Sequence, residues 1–227
     1  MPLSYESIAG KIDHSLLGPT LTRTDLEDGC RLAVRYAVAS VCIKPYAVEL
    51  ATNMLRDSSV AVGTTVGFPH GGHGTAAKVS EAKHAIADGA TELDMVVNIG
   101  AVLGGDWDLV RDDIAAVTEA AHSEGAILKV IFENCYLDDC QKIRLCALCG
   151  ECMVDYVKTS TGYGSGGATH EDLILMRKST PQHVRLKAAG GIRDLEAVLA
   201  VVDLGCDRIG ASKTTEILDA WSMRIGR

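Results

Sequence analysis

VRLKAAGGIRDLEAVLAVVDLG, residues 184–205, holds one complete structural unit. Val184–Ala188 is a short run that alternates apolar residues with Arg185 and Lys187, two glycines then turn the chain, and Asp194 opens an amphipathic stretch that stops at Gly205. An aspartate at a helix start accepts a bond from an otherwise unpaired N–H, and a glycine just past the end adopts the left-handed stop without strain. Strand, glycine turn and helix together make a β/α unit.

The unit recurs along the chain. Further strands are expected at Lys11–His14, Ser40–Ile43, Val60–Val66, Glu92–Val97, Ile127–Ile131, Val154–Lys158 and Arg208–Gly210. Helical patterns lie between them, as in GTAAKVSEAKHAIADG (74–89) and DWDLVRDDIAAVTEAAHSEG (106–125). The second has Asp106 as its N-cap, acidic residues in its first turn and Gly125 as its stop. Eight strand–helix pairs in 227 residues give about 28 residues per unit, a compact fit to an α/β fold of the (β/α)8 TIM-barrel type. Alternation alone leaves a doubly wound open sheet as the competitor. No linker, composition shift or short repeat divides residues 1–227, so a single domain is expected.

Composition narrows the partners. Hydrophobic residues make up 47% of the chain and charged ones 23%, enough for a substantial core. A formal charge of −8 argues against a general nucleic-acid surface, because it repels a phosphate backbone. Any phosphorylated ligand therefore needs a locally built site. The opening MPLSYESIAGKIDH lacks the basic-then-apolar pattern of a signal peptide. No run approaches the ~20 apolar residues that cross a bilayer, so no membrane partner and a cytoplasmic location are expected.

Five of the eight cysteines crowd into one stretch: Cys135, Cys140, Cys146, Cys149 and Cys152. The overlapping C-x-x-C spacings in CALCGEC (146–152) raise a zinc or redox site. The surrounding LDDCQKIRLCALCGECM (137–153), however, reads as an amphipathic helix whose cysteines follow its buried face. No metal is expected, and disulfides are not expected without an export signal.

Chemistry in a barrel gathers at the C-terminal ends of the strands. Four strands there carry charge within apolar runs: Asp94 in ELDMVVN, Lys129 in LKVIFE, Lys158 in DYVKTS and Lys187 in VRLKAAGG. One buried lysine alone is costly, so the set reads as a shared polar site in the barrel mouth, while Asp155 and Arg185 are expected to face the helices or water. Two clustered lysines lower each other's proton affinity, which frees one amine to attack a carbonyl. The resulting iminium draws electrons from the adjacent carbon and permits an enamine, and a nearby carboxylate moves protons. In VKTSTGYGSGG (157–167) the glycines follow the lysine, whereas a Walker loop has them before it, so that reading fails. Gly190-Gly191 and Gly210-Ala211-Ser212 precede helices after the seventh and eighth strands, where backbone N–H groups bind anions.

In order along the chain stand IDHSLL (12–17), VCIKPY (41–46), VGFPHG (66–71), ELDMVVNIG (92–100), LKVIFEN (128–134), VKTSTGYG (157–164), LKAAGGIR (186–193) and IGAS (209–212). This series closely resembles the deoxyribose-phosphate aldolases. The resemblance implies a class I aldolase on a (β/α)8 barrel that needs no cofactor. It implies interconversion of 2-deoxy-D-ribose 5-phosphate with D-glyceraldehyde 3-phosphate and acetaldehyde, within deoxyribonucleotide breakdown. Lys158 takes the position of the family's Schiff-base lysine, Lys187 that of the lysine which tunes it, and Asp94 that of the proton-shuttling aspartate. Asp13, Ser15, Cys42, Lys129 and Thr159 match positions lining the substrate site, and Gly162, Gly190, Gly191, Gly210 and Ser212 match the phosphate-binding turns. Gly18 replaces a common lysine, Lys44 a common asparagine and Lys213 a small residue, and WSMRIGR lacks the tyrosine that closes over the phosphate in some members. Barrels of this kind often associate through their outer helices, and a homodimer is compatible with that habit.

Overall fold

The computed structural model describes residues 4–227. Eight parallel strands close into a barrel in sequence order, with β1 paired to both β2 and β8. They are β1 Ile12–Leu16, β2 Ser40–Ile43, β3 Ala61–Val66, β4 Glu92–Val96, β5 Ile127–Ile131, β6 Tyr156–Lys158, β7 Arg185–Ala189 and β8 Arg208–Ala211. Closure excludes the open doubly wound sheet. A short helix, α1 (Tyr5–Ala9), precedes β1, and α2 (Arg23–Tyr36), α3 (Val48–Leu55) and α4 (Thr75–Ala87) follow the first three strands. Two helices, α5 (Ile99–Gly104) and α6 (Trp107–His122), lie between β4 and β5. The outer ring is completed by α7 (Asp139–Glu151), α8 (His170–Ser179), α9 (Leu195–Asp203) and α10 (Thr214–Ile225). Among the described residues no helix is long and apolar enough to cross a membrane.

Local signals set the helix ends. Asp106 and Asp194 cap α6 and α9 by accepting the N–H groups of Leu109 and Ala197. Thr22 and Asp138 open α2 and α7 with reciprocal capping boxes. The expected β6 began at Val154, but the ladder begins two residues later. There the Asp155 carboxylate accepts the Leu128 N–H at 2.9 Å and the His122 ring lies 2.8 Å from it, so a side chain takes a ladder position. Arg185 stays exposed with its guanidinium over the Tyr156 ring, so both residues sit where the sequence placed them.

Side chains alternate across each strand. Outward-facing Val41, Leu93, Leu128, Val130, Val157, Leu186 and Ile209 belong to the apolar core between sheet and helices. The inward positions carry Asp13, Glu92, Asp94, Lys129, Tyr156, Lys158, Lys187 and Arg208, all of them 5% exposed or less except Arg208. Branched apolar layers usually fill such a barrel. Here the interior is ionic.

The cysteine stretch divides. Cys146 and Cys149 are buried on α7, Cys140 is exposed and Cys152 is the half-buried C-cap. Burial pushes the Cys146 thiol up to about 11 and the Cys149 thiol well above its usual range, as expected of structural cysteines. Cys140 corrects the sequence reading, because it leaves the buried face of α7. Cys135 precedes the helix, in the turn after β5. It faces the β6 loop, where a Cβ at Gly166 would meet its own Cβ at 3.2 Å.

Candidate active site

The inward charges form one connected cluster. Asp94 on β4 sits at its centre, with no exposed surface. Its Oδ1 accepts from Lys129 at 2.9 Å, and its Oδ2 accepts from both Lys158 and Lys187 at 2.7 Å. Lys187 also donates to Asp13 Oδ2 at 2.5 Å, and Ser40 donates to Asp13 Oδ1 at 2.7 Å. Deeper in the barrel, Glu92 accepts from Lys129 at 2.7 Å and from Arg208 at 2.9 and 3.0 Å, while Arg208 also binds Asp13.

Neighbouring strands impose this meeting. The register opposes Asp94 to Lys129, Lys158 to Lys187 and Lys187 to Arg208. With a side-chain period of two, those residues all point inward.

The interior holds three carboxylates (Asp13, Glu92, Asp94) against four cationic groups (Lys129, Lys158, Lys187, Arg208). A dry interior tolerates a surplus charge poorly, so one amine is driven toward neutrality. Burial lowers the proton affinity of Lys158; Asp94 opposes this and Lys187 adds to it, and the net shift is downward. Burial also works against the ammonium of Lys187, but Asp13 and Asp94 overturn it and hold this lysine above its usual value. Lys129 is raised in the same manner by Asp94, Glu92 and Asp13. Burial likewise opposes charge on Asp94, yet Lys129, Lys158 and Lys187 keep its carboxyl well below the usual range. The repulsion among the cations is offset by carboxylates at Lys187 and Lys129, so the net lowering falls on Lys158.

Lys158 and Lys187 reach the floor of a cavity of about 700 Å³ at the C-terminal mouth. Asp13, Ser15 and Cys42 share its wall, and burial pushes the Cys42 thiol up to about 11. Gly162, Gly190, Gly191, Gly210 and Ser212 line its other side. Gly162, Gly190, Gly191 and Ser212 lie outside strands and helices, and their N–H groups meet no backbone carbonyl. Such turns suit an anion. Gly191 is left-handed at φ +84°, with open space where a Cβ would stand. A Cβ at Gly167 would lie 2.3 Å from the Gly190 carbonyl oxygen, so glycine there lets the β6 and β7 loops touch.

Three expected residues stand elsewhere. Asp94 and Lys129 lie beneath the cavity wall and connect to it through the other lysines. Thr159 is a correction: its hydroxyl donates to the Ala189 carbonyl and accepts the Ala189 N–H, both at 3.1 Å. It staples the ends of β6 and β7 and is absent from the cavity wall. Lys44 binds the Leu21 carbonyl at 3.0 Å, and Lys213 pairs with Glu216 on the surface. Glu92 and Arg208 escaped the sequence reading. Each lies two residues before an inward position, Asp94 or Gly210, and that spacing was the available signal.

A lysine–carboxylate cluster beneath a glycine-lined, anion-suited mouth marks the class, a closed (β/α)8 barrel with an amine site at the C-terminal ends of its strands. Comparison with known proteins then gives the family. Residues 8–222 match the DeoC/LacD family aldolase, and the chain belongs to that family. A Rhodopirellula baltica protein named deoxyribose-phosphate aldolase is 54% identical over 222 residues, covering 98% of this chain and 92% of its own length. A Thermococcus gammatolerans protein of the same name is 47% identical over 214 residues, covering 93% of this chain and 95% of its own length. Among solved structures, the tetrameric deoxyribose phosphate aldolase of Aeropyrum pernix superposes with a TM-score of 0.90 at 30% identity, covering 96% of this chain and 92% of that one.

Proposed function

We propose that this aldolase reversibly cleaves 2-deoxy-D-ribose 5-phosphate to D-glyceraldehyde 3-phosphate and acetaldehyde, through a Schiff base on Lys158, in deoxyribonucleotide breakdown. The carrying observation is the shared Asp94 Oδ2, which binds both lysines at 2.7 Å while only Lys158 is shifted toward the free amine. The substrate is the one for which the similar aldolases are named.

In this reading the Lys158 amine adds to the aldehyde carbon of the open-chain sugar. The carbinolamine loses water with a proton from Lys187, leaving the iminium. Asp94 and Lys187 relay the proton taken from the C3 hydroxyl, the C2–C3 bond breaks, and its electron pair passes into the iminium. Glyceraldehyde 3-phosphate leaves and an enamine remains on Lys158. Protonation of the enamine at C2 and hydrolysis of the new iminium release acetaldehyde and restore the amine. The phosphate rests on the Gly162 and Gly190–Gly191 turns and on Ser212, while Gly210, which the sequence placed in a turn, lies within β8 and lines the wall. Eight unpaired cysteines suit a reducing compartment such as the cytoplasm.

The test is borohydride reduction in the presence of acetaldehyde, followed by mass spectrometry. A two-carbon adduct on Lys158, lost in Lys158→Ala together with cleavage, is expected. An adduct on Lys187 would reverse the assigned roles, and no adduct at all would remove the mechanism.

A further inference from the structure

Glu133 is a buried carboxylate for which the proposed chemistry has no use. It is 2% exposed, and its backbone is left-handed at φ +56°. Non-glycine residues adopt that conformation at a cost, and they keep it mostly where the surroundings require it. Both carboxylate oxygens face one residue of the β6 loop. Oε1 accepts the Thr161 N–H at 3.1 Å, and Oε2 accepts the Thr161 hydroxyl in a short contact. A hydrogen bond to an ionised acceptor is about twice as strong as a neutral one, which offsets the cost of burying the carboxylate.

The chain of bonds continues past Thr161. Its hydroxyl oxygen accepts the Tyr163 N–H at 2.9 Å, and the Tyr163 hydroxyl donates to the Leu17 carbonyl at 2.8 Å. The Tyr163 ring also meets Phe68 edge-on, with centroids 5.5 Å apart. The loop bearing Gly162 is thus held from behind by the β5 loop and from the far side of the mouth by the β1 and β3 loops. Packing leaves no slack on the Glu133 side, since a Cβ at Gly164 would stand 3.0 Å from its carboxyl carbon.

We propose that Glu133 is a positioning residue for anion recognition: it pins Thr161 so that the Gly162 turn faces the phosphate, and it takes no part at the reacting carbon. This rests on the reading of the mouth as a phosphate site. The chemistry recognised is a phosphate monoester, and the effect travels through the loop rather than through contact.

The experiment compares the full chain with Glu133→Ala, Glu133→Gln and Thr161→Val. Inorganic phosphate binding is measured by calorimetry, and Lys158 adduct formation with acetaldehyde, which has no phosphate, is measured alongside. Glu133→Ala is expected to weaken phosphate binding, and to raise KM for the phosphorylated sugar, by about tenfold or more, the scale of one lost charge-assisted bond. Its adduct rate should match the unaltered chain. Glu133→Gln should recover most of the affinity, because its amide oxygen still accepts the Thr161 N–H. Thr161→Val should weaken phosphate binding severalfold and add little to Glu133→Ala. Unchanged phosphate affinity in Glu133→Ala overturns the proposal, as does an adduct rate falling in step with affinity, which marks general damage. If Glu133→Ala does not fold, Thr161→Val decides, and unchanged affinity there overturns it. An unaltered chain that binds phosphate but forms no adduct sinks the Schiff-base reading alone, and phosphate affinity in the variants still decides the role of Glu133.

Discussion

Replacing Lys187 by methionine keeps a flexible chain of similar shape and removes one buried positive charge. Lys158 and Lys187 each lie 2.7 Å from the same Asp94 oxygen, so their nitrogens are no more than about 5.4 Å apart, twice that distance. Two like charges at that separation repel by about 3 kcal/mol at an effective dielectric near 20, equivalent to about 2 pK units. In the intact site this repulsion helps strip the proton from Lys158. Without Lys187 the interior holds three cations against three carboxylates, and a protonated Lys158 becomes the balanced state. The acid limb of acetaldehyde adduct formation, followed by borohydride trapping across a pH series, should move up by about 2 pH units. On the acid side of both limbs trapping should fall about a hundredfold and then recover about tenfold for each unit of added pH. A rate lowered equally at every pH, with the limb unmoved, would mean that Lys187 only supplies protons, and the charge-balance reasoning would be wrong.

Other perturbations address separate parts of the structure. Asp94→Asn should leave sugar phosphate binding measurable and cut turnover by roughly 10²-fold or more, the scale of lost acid–base catalysis; near-normal steady-state turnover would contradict its role. His14 is held by Thr214 at 2.8 Å, and burial lowers its pKa from 6.5 to about 4. The unfolded chain thus takes up this proton first as pH drops, so stability is lost between pH 6.5 and about 4, by about 3 kcal/mol in all. His14→Gln should flatten that part of a thermal-melt series, and an unaltered slope would refute the assignment. Gly167→Ala forces a Cβ against the Gly190 carbonyl; a loss of about 1–3 kcal/mol with a raised KM is expected by melting and steady-state kinetics. Gly72→Ala, with nothing within 4 Å, serves as the tolerated control.

Most of the architecture was legible in the order of short strands, glycine turns and capped helices. Ser40–Ile43 and Ile127–Ile131 fall where the pattern put them, and the others shift by one or two residues. Those shifts have tertiary causes. Leu16 enters β1 because it pairs with Ile43, and β6 shortens where Asp155 bonds sideways to Leu128. The site was legible to the extent that its charges interrupt apolar strands, as Asp94, Lys129, Lys158 and Lys187 do. Thr159 was expected at the substrate only through the family resemblance, yet its position just past the strand end turns its hydroxyl to Ala189 of β7.

By itself, the sequence determined the repeating β/α unit, the family and which strands bear charge, because caps, turns and alternation act over a few residues. Only the tertiary structure decided which charge meets which. Closing the barrel brings Asp94 against lysines 35, 64 and 93 residues away, and their protonation depends on distance and burial, which no local pattern carries. The difference between Lys158 and Lys187 follows from that geometry. Both interrupt apolar strands that lead into glycine-rich turns, but Lys187 has Asp13 as a second carboxylate and Lys158 has Asp94 alone.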